Sequence, residues 1–186
     1  MTANPDNLPR ALPGDRSANE AVARMVRVDH AGEYGATRIY AGQLAVLRNG
    51  DKADLVRHMQ AQEEAHLATF NGLIARRRVR PTALLPFWHL AGFALGAVTA
   101  AMGEKAAMAC TVAVEEAIDE HYSAQVAELG DREPALRETI ERFRAEELEH
   151  RDIGLAHGAE EAPGYRLLSA AIKTGCKVAI RLSERV

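Results

Sequence analysis

Aromatic residues make up only 5% of the 186-residue chain, cysteine occurs only at Cys110 and Cys176, and neither sign of charge predominates. Each scarcity removes a class of protein. Few aromatics argue against an aromatic-rich β-sandwich. Two isolated cysteines make neither a disulfide framework nor a thiolate metal site, and both read as core packing in a reducing setting. Lys plus Arg is 23 against Asp plus Glu 26, so the net charge of -3 gives no global attraction for nucleic acid. The opening "MTANPDNLPRALPGDRS" lacks an apolar core behind a basic start, so neither a secretory signal nor a transit peptide is expected, and a cytoplasmic setting is expected by default. Strands are missing too, because apolar and polar positions do not alternate over any useful length.

What the chain does have is helical periodicity. Residues 1–16 carry three prolines and no period, and are expected to form a mobile lead-in to a single domain over 17–186. From Ser17, an expected N-cap, apolar positions Val22, Met25, Val26, Ile39, Tyr40, Leu44 and Leu47 recur at helical spacing until "RNGDKAD". A second pattern runs from Asp51 to the basic residues Arg76, Arg77, Arg78 and Arg80, which suit a helix C-terminus, and Pro81 closes it. Further patterns cover 104–129, about 134–155 and roughly 165–184. The fold class is therefore all-α. Four long segments with one long apolar crossover, residues 78 to about 104, predict a ferritin-like four-helix bundle, extended by a C-terminal amphipathic helix.

The two halves resemble each other. Glu33 is followed at +7 by Tyr40 and at +30 by Glu63 of Glu63-Glu64-Ala65-His66, and Glu115 at +7 by Tyr122 and at +32 by Glu147 of Glu147-Leu148-Glu149-His150. Residues three apart on a helix lie about 60° apart around the axis, so the Glu and His of each ExxH share a face. Seven residues come within roughly 20° of two turns, which puts each Tyr on the face of its Glu. Glu116 competes with Glu115, but only Glu115 keeps the Tyr register. Random placement of 18 Glu and 7 His in 186 positions gives about 0.7 ExxH matches, so the repeated order, not ExxH alone, carries the reading. Four carboxylates at one buried centre oppose one another's ionisation. Two cations remove that conflict, and oxygen with imidazole donors suits iron or manganese. The candidate ligands are Glu33, Glu63, His66, Glu115, Glu147 and His150, with one carboxylate of each ExxH available to bridge. Tyr40 and Tyr122 are placed to hydrogen-bond bridging ligands, and Asp29, His121 or Asp152 to orient the imidazoles. The other reading of all these positions is a set of solvated or packed Glu/His faces.

The segments "RVDHAGEYGA", "ACTVAVEEAIDEHY", "EELEHRDIGL" and "CKVAIRLSER" resemble the demethoxyubiquinone hydroxylase family, a ferritin-like di-iron group of ubiquinone biosynthesis, over about residues 20–186. The resemblance implies two iron ions cycling between Fe2+ and Fe3+ on those six ligands. It implies O2-dependent hydroxylation of a polyprenyl methoxy methyl benzoquinol ring, the step before the last methylation of the pathway. It also implies electrons from the quinol itself or from NADH, although no GxGxxG loop is present. A lipid-binding partner docking on the 104–129 helix and a place at the cytoplasmic face of a bacterial cell membrane are implied in the same way. A ferroxidase or iron-storage role, dimanganese peroxide disproportionation and a purely structural metal site are the alternatives on ligand type alone.

Residues 81–103 carry no Asp, Glu, Lys or Arg, long enough to span a bilayer. A single span would part the two half-sites, so an interfacial or bundle-packed helix is the better expectation. Lys173, Lys177, Arg181 and Arg185 recur every four residues beside Leu168, Ile172, Val178, Ile180 and Leu182. Such a basic amphipathic helix is expected to settle on anionic lipid, from which a prenyl substrate would be collected.

Overall fold

The computed structural model describes residues 18–186; the expected lead-in 1–16 and the N-cap Ser17 lie outside the described residues. The elements are α1 (Ala18–Leu47), α2 (Asp51–Arg77), α3 (Leu85–Ala101), α4 (Glu104–Leu129), α5 (Pro134–Ala156), a 3-10 turn Ala159–Glu161 and α6 (Tyr165–Ser183), with no strand among the described residues. Short connections pair α1 with α2 and α4 with α5, and these four helices make the bundle. The helix ends follow local chemistry. Arg76 and Arg77 occupy the last turn of α2, Arg78 adopts the left-handed conformation that stops it, and Pro134 opens α5 where its missing N–H costs nothing.

The crossover is itself a 17-residue helix, α3, that packs chiefly on α1. Backbone contact makes this possible. A Cβ on Gly96 would lie 1.9 Å from the Ile39 carbonyl oxygen, and one on Gly42 would lie 2.1 Å from that of Phe93. Only glycine admits helices at that distance. Gly96→Val should therefore cost about 3 kcal/mol, lowering Tm by roughly 6–12 °C in a thermal scan; an unchanged Tm would contradict the close approach.

The α6 helix packs on α4, so α3 and α6 form a second layer over the α1 and α4 side of the bundle, opposite α2 and α5. Inside, two apolar clusters occupy the two halves of the bundle. One contains Tyr40, Met59, Met108 and Val112, the other Met25, Phe70, Tyr122, Ile140 and Phe143. Polar residues fill the gap between them. Among the described residues no helix is long and apolar enough to cross a membrane.

Candidate metal centre

All six expected ligands meet between the apolar clusters, one or two from each bundle helix, and all are buried. Their atoms fall into two overlapping groups, Glu33, Glu63, His66 and Glu147, and Glu63, Glu115, Glu147 and His150, each within 4.8 Å. His66 Nδ1 lies 3.4 Å from Glu33 Oε2, 3.9 Å from Glu63 Oε2 and 3.2 Å from Glu147 Oε1. His150 Nδ1 lies 3.1 Å from Glu63 Oε1, 3.2 Å from Glu147 Oε2 and 4.0 Å from Glu115 Oε1. Glu63 and Glu147 thus show one oxygen to each imidazole. Glu33 and Glu115 each serve one side.

The centre fits cations because its own atoms leave it unsatisfied. Glu33 Oε2, both oxygens of Glu63, His66 Nδ1, Glu115 Oε2, both oxygens of Glu147 and His150 Nδ1 are buried without a hydrogen-bond partner. Buried polar atoms are rarely left so, and here they converge on one point from four helices. A hard or borderline divalent ion with oxygen and imidazole preference answers that donor set.

Electrostatics say the same. Burial, then repulsion from Glu147, Glu33 and Glu115, pushes the Glu63 carboxyl well above its ordinary range. Burial also raises Glu33 and Glu115. Burial works against charge on Glu147 as well, but His150 and His66 outweigh it and hold the carboxyl down at about 2. Burial likewise opposes protonation of His66, yet Glu147 and Glu33 carry its ring up to about 11. Metal ions bound here would displace the protons that these shifts favour.

The surrounding shell departs from the sequence expectation in three places. Tyr122 donates its hydroxyl to Glu33 Oε1, and Tyr40 donates to Glu115 Oε1 at 2.7 Å. Each tyrosine thus fixes the one-sided carboxylate of the opposite half, not a bridging ligand. Burial and the adjacent carboxylates raise both phenols well above their ordinary range, so they remain donors. Asp29 and His121 do not orient the ligand imidazoles; they pair with each other at 3.2 Å, and Gln125 donates to Asp29 at 2.7 Å. Asp152 is exposed and pairs with Arg151. The imidazole holders are residues the motif reading passed over. His66 Nε2–H donates to Glu146 Oε2 at 2.5 Å, and His150 Nε2–H to Gln62 Oε1 at 2.9 Å. This aims each Nδ1 at the centre, where a metal ion would take the place of any proton it carries. Gln62 and Glu146 each precede the Glu of an ExxH, four residues before its His, and that repeated polar position was legible.

Beside the centre lies an apolar cavity of about 480 Å³ between α1, α3, α4 and α6. Ala36 and Ile118 line it, each about one turn from a candidate ligand, Glu33 and Glu115, while none of the six candidate ligands is part of the lining. Trp88, Ile172, Gly175 and Cys176 form part of the α3 and α6 sides. Burial pushes the Cys176 thiol up to about 11 and that of Cys110 up to about 12, as packed, unreactive thiols.

The basic stripe of α6 is partly spent within the molecule. Lys173 pairs with Glu116 at 2.5 Å and Lys177 with Glu120 at 2.7 Å, both on α4, while Arg181 and Arg185 are exposed. The exposed feature of this layer is apolar instead. Phe87, Leu90, Val98 and Met102 on and after α3, and Leu167, Val178 and Leu182 on α6, face outward, with Leu90 70% and Leu167 79% exposed.

Residues 20–183 match the family model described as Ubiquinone biosynthesis protein COQ7. The chain is 62% identical over 176 residues to the 3-demethoxyubiquinol 3-hydroxylase of Rhodospirillum rubrum, covering 94% of this chain and 83% of the relative. It is 53% identical over 176 residues to the mitochondrial NADPH-dependent 3-demethoxyubiquinone 3-hydroxylase of Homo sapiens, covering 92% and 81%. It is 40% identical over 202 residues to the mitochondrial 5-demethoxyubiquinone hydroxylase of Saccharomyces cerevisiae, covering 100% and 87%.

Proposed function

The chain belongs to the family of Ubiquinone biosynthesis protein COQ7, and from that premise we propose that it hydroxylates the ring of a polyprenyl 3-demethoxyubiquinol at a di-iron centre. The observation that carries the reading is the convergence of buried, unpartnered ligand atoms from six residues beside an apolar cavity. Iron ions held by Glu33, Glu63, His66, Glu115, Glu147 and His150 would supply the electron transfer that lets ground-state O2 react with a closed-shell quinol. The balance is a ring C–H, O2, a reduced nicotinamide and a proton giving a ring C–OH, water and the oxidised nicotinamide.

The protein's own work is placement. Glu63 and Glu147 present an oxygen to each half, Glu33 with His66 and Glu115 with His150 complete the halves, and the two tyrosines stop the one-sided carboxylates from turning. The cavity takes the quinol ring and the start of its prenyl chain, since a dry apolar lining of this size suits a small lipid headgroup. Water is kept from the reacting carbon by the same lining. Because a preformed site binds metal in the native state alone, filling both positions with Fe2+ under anaerobic conditions should raise Tm by about 10–20 °C at a hundredfold excess over Kd. A chelated sample that neither gains stability with iron nor loses hydroxylase activity would contradict the reading.

The substrate is very hydrophobic, and the two helices flanking its cavity carry the exposed apolar residues. We assign that surface to the bilayer interface, with the cytoplasmic leaflet as the setting in a bacterial cell. On vesicles containing anionic lipid, Phe87→Ser with Leu90→Ser should abolish flotation, while Lys173→Gln with Lys177→Gln should leave it in place because those lysines already serve α4. The reverse pattern would return the contact to the basic stripe. A lipid-binding partner on α4 would have only its C-terminal half to grip, for residues 106–115 are buried throughout.

A further inference from the structure

The repeat that builds the centre is broken by charge, and the break falls on one side. His66 is held by a carboxylate, Glu146, and His150 by an amide, Gln62, although the two holders occupy the same place before their ExxH motifs. A second pair of equivalent positions differs in the same sense. Gln43 and Gln125 each lie ten residues after the one-sided glutamate of their own helix, and each reaches the opposite helix. Gln125 meets Asp29, one turn before Glu33; Gln43 meets Thr111, one turn before Glu115. The Asp29 side chain is buried with Oδ2 unpartnered, and its field reaches Tyr122, the donor to Glu33. Acidic groups therefore back the Glu33 and His66 half. Amides and a hydroxyl back the other, and no Lys or Arg forms an ion pair with Glu146 or Asp29 among the described residues.

We propose that the two metal positions are inequivalent: the Glu33 and His66 position takes the first and more tightly held divalent cation, and Glu146 is the positioning residue that makes it so. This rests on the metal reading above. A carboxylate accepting the Nε2 proton both fixes the ring and makes its other nitrogen a stronger donor, whereas an amide carbonyl does the first with little of the second. Asp29 places a second carboxyl on the same side, where the other half has only the Thr111 hydroxyl.

Mn2+ provides a test independent of turnover. Anaerobic titration of the metal-free protein, with free Mn2+ followed by its electron paramagnetic resonance signal, should give two steps separated by about tenfold or more. Anomalous scattering from crystals loaded with one equivalent should place most of the ion at His66. Glu146→Gln should weaken the first step about 10–100-fold and close the gap. Should that variant fold poorly, Gln62→Glu closes the gap from the other side by strengthening the second step, and the double exchange should move the first ion to His150. Equal occupancy in the parent, preference for His150, or steps unmoved by either exchange would overturn the inference while leaving a two-metal centre intact. Failure to bind Mn2+ and Fe2+ alike would overturn the metal reading and this inference with it.

Discussion

Glu63→Gln is expected to cut hydroxylation more than about 100-fold, since partners one shell further out already cost 10–100-fold, and yet to stabilise the metal-free protein. Glu63 supplies an oxygen to each imidazole, so an amide in its place weakens both metal positions together. Without metal the same carboxyl is a liability. It is buried among three other carboxylates, which raises it well above its ordinary 4.5. For an acid raised in the folded state, the native protein holds a proton that the unfolded chain releases above about pH 4.5. The contribution of Glu63 to the stability of the metal-free parent therefore falls as pH rises from that value toward the raised folded one. Glutamine removes this slope. The variant should melt several degrees above the metal-free parent at pH 7, with the advantage shrinking toward pH 4.5, and metal analysis should find at most one ion per chain. Full metal content with lost activity would mean that Glu63 acts on substrate instead.

Gly175→Trp addresses the cavity without touching the ligands. Gly175 lies on the cavity wall in α6, and a Cβ there meets nothing within 4 Å, so the indole enters open space. Gly175 lies inside a helix, where glycine is a poor former, so folding should not suffer. With the ring displaced, kcat/KM for the prenylated quinol should fall about 100-fold. Iron content and the Mn2+ titration should match the parent. Unchanged turnover would place the substrate elsewhere.

The helical architecture and the convergence of the six candidate ligands were legible because helix period and residue spacing are local properties. Glu33 with Tyr40 and Glu63 with His66 each lie on one helix, and their faces follow from 3.6 residues per turn. Partners across helices were not legible in that way. Tyr40 shares a face with Glu33 yet donates to Glu115, because the centre is shared by facing helices and the phenol crosses it. Asp29 had the right residue type to orient an imidazole, but it meets His121 and Gln125 on α4. The basic period of α6 suggested lipid, whereas Glu116 and Glu120 at matching spacing on α4 claim two of its four cations. In the crossover Gly92 and Gly96 let α3 lie against the backbone of α1, a contact between helices that no single-segment measure reports.

The central claim meets its most direct test in a single turnover. The protein is loaded anaerobically with Fe2+ and a short-chain demethoxyubiquinol, exposed to 18O2, and the quinone product is weighed by mass spectrometry. One 18O atom in a newly hydroxylated ring is the predicted result. Oxidised iron beside an unchanged quinol would contradict it and point to a ferroxidase.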